Sequence, residues 1–174
     1  MRTYPKTVKQ REPGLFGFLF ESEAAFFIII LNLTAFGFIH YTLLGQDMIE
    51  TLVLYPANLF SGNYLCLITS GFIHRDWLHL LFNMLGVFIF GRIVERRLGL
   101  TKTLFVYVGA LAISMLFSTT VYTFVLDKNI AIIGASGAVM GLIACAMLLD
   151  PFCITYEMIL PIPVMVKGWL FFYA

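Results

Sequence analysis

Residues Thr103–Leu126 read TLFVYVGALAISMLFSTTVYTFVL, without one charged side chain. An α-helix rises 1.5 Å per residue, so about 20 such residues cross a hydrocarbon core about 30 Å thick. This run therefore predicts a membrane-crossing helix. The composition agrees: 60% of the 174 residues are hydrophobic and 12% are charged, against roughly 45–50% apolar in soluble domains. A water-soluble core does not account for such a sequence. The net charge of +1 gives no footprint for a nucleic-acid partner, and the basic residues are read as topology signals at helix ends.

Downstream of this run, Asp127-Lys128-Asn129 forms a short turn, and a fourth span covers about Ala131 to Leu149. It stops at Asp150-Pro151, because proline ends regular helix readily. A fifth apolar stretch begins near Tyr156, contains Pro161, Pro163 and Lys167, and reaches Ala174 without a closing basic flank. That ending leads us to expect a longer parent protein. Upstream, Trp77 to Phe90 makes a short second span, stopped by Arg92, Glu95, Arg96 and Arg97. The long connection Gly45 to Asp76 carries turn residues at Tyr55-Pro56-Ala57-Asn58 and Ser61-Gly62-Asn63, and reads as a loop lying at the membrane interface. The first span runs from about Ala24 to Leu44, too long for the ~7–15-residue core of a signal peptide. The expected architecture is thus an all-α polytopic bundle of about five spans. It comprises a tail over residues 1–23 and a membrane domain over residues 24–174.

Lys and Arg crowd the tail and the connection between spans two and three, whereas the first and third connections carry one each, Arg75 and Lys128. The positive-inside bias predicts a cell-membrane protein with a cytoplasmic N-terminus. The starts of spans two and four then share the external side. Cys66, Cys145 and Cys153 lack CxxC or Cys/His metal spacing and are read as packing residues, with no metal site indicated.

The polar residues within these spans are few. Gly134-Ala135-Ser136-Gly137 falls in the first two turns of the expected fourth span, placing Ser136 roughly 5–10 Å below its external end. Taken alone, Gly137 and Gly141 with this serine read as a close helix contact. His79 and Asn83 are four apart, on one face of a helix, and they fit interhelical hydrogen bonding as well as chemistry. His74, beside Arg75-Asp76, reads as interfacial, and so does His40 late in span one. Together, a serine among glycines and two side-chain donors reach one depth from separate helices. Peptide hydrolysis needs a nucleophile, a base and donors for the oxyanion, and these residues supply the first and the last.

The patterns His74-Arg75-Asp76-Trp77-Leu78-His79-Leu80-Leu81-Phe82-Asn83 and Gly134-Ala135-Ser136-Gly137 resemble the H-x4-H-x3-N and G-x-S-G motifs of the rhomboid family. The likeness continues through Thr69-Ser70-Gly71-Phe72-Ile73, Met84, Gly91, Glu95, Arg97 and Gly99. The resemblance implies an intramembrane serine endopeptidase, cofactor-free, that cleaves transmembrane protein substrates within the lipid bilayer. Ser136 would be its nucleophile, and His79, Asn83 and the Ser136 amide its oxyanion hole. Gly134 and Gly137 would open backbone access, with His74 in support. The family's general base is a histidine on a sixth helix, and this sequence has none beyond His79. His40 is a further candidate for that role. Where the family often carries an arginine, eight residues before His74, this chain has Cys66, so its loop is expected to be anchored differently. Met140, four after the serine, fits the family. An inactive relative that holds membrane clients, and a small transporter or structural bundle, are the alternatives.

Overall fold

The computed structural model of the chain describes residues 22–149 and the backbone of Ile154–Ile159 and Ile162–Lys167. The expected N-terminal tail and Cys153 lie largely or wholly outside these residues. Helix α1 (Glu23–Tyr41) is capped by Ser22, whose hydroxyl oxygen accepts from the Ala25 amide. It ends earlier than Leu44, because Thr42 turns extended and caps the next helix by accepting from Gly45. The connection expected as a loop instead holds α2 (Leu43–Leu52), α3 (Pro56–Phe60), α4 (Cys66–Thr69) and a 3₁₀ turn at Ser70–Phe72. Side chains anchor it: Asn58 and Asn63 donate to the carbonyls of Glu50 and Thr51, and Thr69 donates to Leu52. Cys66 donates to Asn63.

Helix α5 (Trp77–Leu98) is longer than expected, 22 residues, because a π-turn at Val87–Gly91 carries it past Phe90 without a break. Near its far end Glu95 accepts from the Ser22 hydroxyl and the Ala24 amide, binding α5 to the start of α1. Gly99 (φ 82) makes the corner into α6 (Leu100–Phe124). Helix α7 (Ser136–Leu149) then returns through the bundle.

Two expectations are corrected here. The fourth apolar segment becomes helical at Ser136 rather than Ala131, because residues before it are held in non-helical geometry by Gly134 (φ 101) and by a bridge between Ile132 and Leu54. The resulting 14-residue helix is only about 21 Å long. Where it is described, the stretch near Tyr156 is not helical: β1 (Ile154–Ile159) and β2 (Ile162–Lys167) pair antiparallel. Pro163 opposes helix there, and the Ile and Val residues of the two strands favour strand. Among the described residues, three helices are long and apolar enough to cross a membrane.

Helix α7 packs into the bundle through missing side chains. A Cβ at Gly137 would collide with Ser114, and one at Gly141 with Ala110, so α7 and α6 meet at backbone distance. Buried Leu111, Met115, Val139 and Leu142 fill the space around this contact. Gly109, on the same helix as Ala110, faces open space. We expect Gly141→Val to lower the unfolding free energy in mixed micelles by about 1–3 kcal/mol through overpacking. Gly109→Ala should leave it unchanged or slightly higher. Equal destabilisation by the two would contradict this packing.

Candidate active site

Ser136 is the first residue of α7, and the Val139 amide already bonds to the Ala135 carbonyl. Ala135 therefore stands at the N-cap with no side-chain oxygen to offer. The amides of Ser136, Gly137 and Ala138 precede the first intrahelical bond, and none has an acceptor among the described residues. Such a helix end carries partial positive charge and open N–H donors. The Ser136 side chain is exposed and makes no hydrogen bond to the described residues.

The segment leading to this serine is fixed by three main-chain donors. Ile132 donates to the Leu54 carbonyl at 2.8 Å and Gly134 to the Ser70 carbonyl at 3.0 Å. The Ala135 amide donates to Nε2 of His74 at 3.4 Å. Leu54 and Ser70 act through carbonyls, which any residue supplies, so no residue type marks them in the sequence. The only visible signal was the likeness running through Ser70.

His79 starts one turn into α5, whose N-cap is Asp76; that carboxylate accepts from the His79 amide at 2.8 Å. This bond first, and Arg75 second, hold the Asp76 carboxyl below its usual range. The His79 ring lies against Gly134, its Cε1 and Nε2 each 2.6 Å from where a Cβ would stand. Any other residue at 134 would displace the ring. Its nitrogens have no hydrogen-bond partner among the described residues. Asn83 is buried one turn further along α5, and its amide nitrogen donates to the His79 carbonyl at 2.9 Å. The structure thus joins Gly134, Ser136, His79 and Asn83 in one neighbourhood. Gly137 serves the α6 contact described above.

His74 differs from its interfacial reading: it is 1% exposed because the connection folds back over it. Its ring meets that of His79 edge-on, centroids 5.0 Å apart. Burial first, then the charge of His79, push its imidazole down to about 4. The neutral ring can accept from Ala135 at Nε2. His40 approaches from α1, its Nε2 2.9 Å from the His74 carbonyl. A carbonyl only accepts, so this nitrogen carries a proton. The ring stacks at 4.1 Å on Phe36, which also meets Trp77. His40 therefore supports the His74 backbone. Met140, one turn after the serine, is 63% exposed.

A family model described as the Rhomboid domain matches residues 61–174. The chain is similar to the Bacillus subtilis (strain 168) protein named "Putative rhomboid protease YdcA", with 32% identity over 117 residues, 65% of this chain and 56% of that protein. It is 35% identical over 131 residues to "Rhomboid-like protein 11, chloroplastic" of Arabidopsis thaliana, covering 73% of this chain and 42% of the relative. With "RHOMBOID-like protein 12, mitochondrial" of the same plant it shares 32% over 137 residues, 71% of this chain and 41% of the relative. The chain spans about half the length of the curated relatives it matches. The matched region contains α5, α6 and the start of α7 with all four clustered residues, and this helical, membrane-embedded chain belongs to the rhomboid family.

Proposed function

We propose that the protein is a serine endopeptidase that cleaves membrane-spanning substrates near the outer leaflet, with Ser136 as its nucleophile. One observation carries this reading: the exposed Ser136 hydroxyl sits at an uncapped helix start, with the unpartnered imidazole of His79 pressed against Gly134. Attack by Oγ on a substrate carbonyl would make a tetrahedral intermediate whose oxygen carries negative charge. That charge would lie in the field of the α7 N-terminus, within reach of its open amides. His79 would donate from its ring. Asn83 would exchange its bond to the His79 carbonyl for one to the oxyanion. The Ser136 proton would pass to a base and then to the leaving amine, and one water would hydrolyse the acyl-enzyme.

The base is assigned outside these 174 residues. Of the three histidines in the sequence, His74 accepts from Ala135, His40 bonds to the His74 carbonyl, and His79, whose ring lies against Gly134, would serve as an oxyanion donor. A histidine on a later helix is what the family resemblance implies. With the N-terminus cytoplasmic, the Ser136 end of the bundle faces outward, and water would enter from that side.

In liposomes containing the full-length protein, Ser136→Ala should abolish cleavage of a quenched fluorescent single-span peptide. Continued cleavage would remove the serine from this role. Binding of the peptide without cleavage by the unmodified protein would fit a client-holding relative instead. His79→Ala and Asn83→Ala should each lower kcat by about 10²–10³, and indifference to both would refute their assignment.

His74 gives a separate pH signature. Burial pushes its folded-state imidazole down to about 4, below the ordinary 6.5, so folding favours the neutral ring. This contribution is fully present above pH 6.5 and is lost as pH falls from there towards 4. His74→Gln keeps an acceptor for Ala135 and does not titrate. Thermal unfolding in micelles should therefore depend less steeply on pH in this window for His74→Gln than for the unmodified protein, and identical profiles would contradict it.

A further inference from the structure

Helix α3 begins without a cap of its own. Tyr55, at the N-cap, contributes no side-chain hydrogen bond, and Pro56 at the first position has no N–H. The first open donor is the Ala57 amide, and it donates to Oδ1 of Asn129 at 3.1 Å. Asparagine is among the best capping residues, but here it comes from the connection between α6 and α7.

The neighbouring tie makes this more than a local cap. Ile132 forms an isolated antiparallel bridge with Leu54. Asn129 and Ala57 are each three residues from that pair, in the same antiparallel register, so a side chain extends the pairing where the backbone ladder has stopped. Beyond the bridge, Gly134 and Ala135 bond to Ser70 and His74. The partners that fix the approach to Ser136 thus all belong to the connection before α5. That connection is braced internally by Asn58, Asn63 and Thr69. On the other side, Lys128 is still tied to the end of α6 through the Tyr122 carbonyl. Residues 124–131 are all exposed, and between Lys128 and Ile132 the Asn129 bond is the only tie among the described residues.

We propose that Asn129 is a positioning residue for Ser136: by capping α3 it docks the α6–α7 connection on the braced segment and sets the register of the strand that delivers the serine. The proposal rests on the reading of Ser136 as nucleophile. Nothing in its chemistry requires a carboxamide; an oxygen acceptor suffices.

The test uses the full-length protein in liposomes, with a quenched fluorescent single-span peptide carrying a Gly-Ala segment near its external end. Asn129→Ala should lower kcat roughly ten- to a hundredfold, the scale of a small misplacement of reacting groups, with KM largely unchanged. Asn129→Asp keeps the acceptor and should restore kcat. Hydrogen exchange at the Ile132 amide should be faster in Asn129→Ala and near the unmodified rate in Asn129→Asp. Unchanged kcat in Asn129→Ala, or no rescue by aspartate, overturns the proposal. Exchange reads the docking without reference to cleavage. Equal exchange at Ile132 in all three proteins overturns it too, whereas cleavage surviving Ser136→Ala would locate the failure in the nucleophile reading.

Discussion

A histidine ring and a missing side chain occupy the same place in this protein. The His79 imidazole fills the volume that a Cβ at residue 134 would need, and the backbone there, at φ 101, already favours glycine. These two requirements coincide at one residue, and much of the bundle follows. The turn at Gly134 ends the extended segment and lets α7 begin at Ser136. It also brings α5 close enough to α7 for Val139 to fill the space beside Gly86. A methyl group at 134 would cost backbone strain and ring displacement together, with no flexible chain end to absorb it.

The same logic of absent side chains explains how a short helix can be held inside a membrane bundle. Lipid tails are as apolar as the side chains they would replace, so helices there gain from close contact more than from simple burial. Gly137 and Gly141 let α7 meet α6 at Ser114 and Ala110. The glycines around Ser136 make room for different neighbours. Gly134 makes room for the His79 ring, whereas Gly137 and Gly141 seat α7 against α6. The uncapped amides at the start of α7 go with this division, because Ala135 at the cap position is small enough to be buried and has no side-chain oxygen to accept from them.

Much of this was legible in the sequence. Long uncharged runs gave three spanning helices, because hydrocarbon leaves the backbone few other options. That His79, Asn83 and the serine among glycines reach one depth could be anticipated from the two motifs, whereas the contact of the His79 ring with Gly134 could not. What stayed hidden has physical causes. The start of α7 depends on carbonyls at Leu54 and Ser70, which any residue supplies, and on a positive φ at Gly134, one of several glycines in the segment. The helices within the long connection are short and stabilised by asparagine bonds to main chain, so they carry little periodicity. His74 looked interfacial because its neighbours Arg75 and Asp76 are polar; its burial arises from a chain reversal no local pattern records. In the segment after α7 hydropathy and strand propensity point to different structures, and the described residues follow the strand propensity of their Ile and Val.

Reaction of the folded protein with a serine-directed fluorophosphonate tests the central claim most directly, since the attacking oxygen displaces fluoride and leaves a stable adduct. Full-length protein in liposomes would be labelled, digested, and its modified peptide identified by mass spectrometry. The account predicts an adduct on Ser136 in folded protein, lost on unfolding before treatment. An unlabelled Ser136, or equal labelling of Ser61, Ser114 and Ser136, would contradict an activated nucleophile at the start of α7.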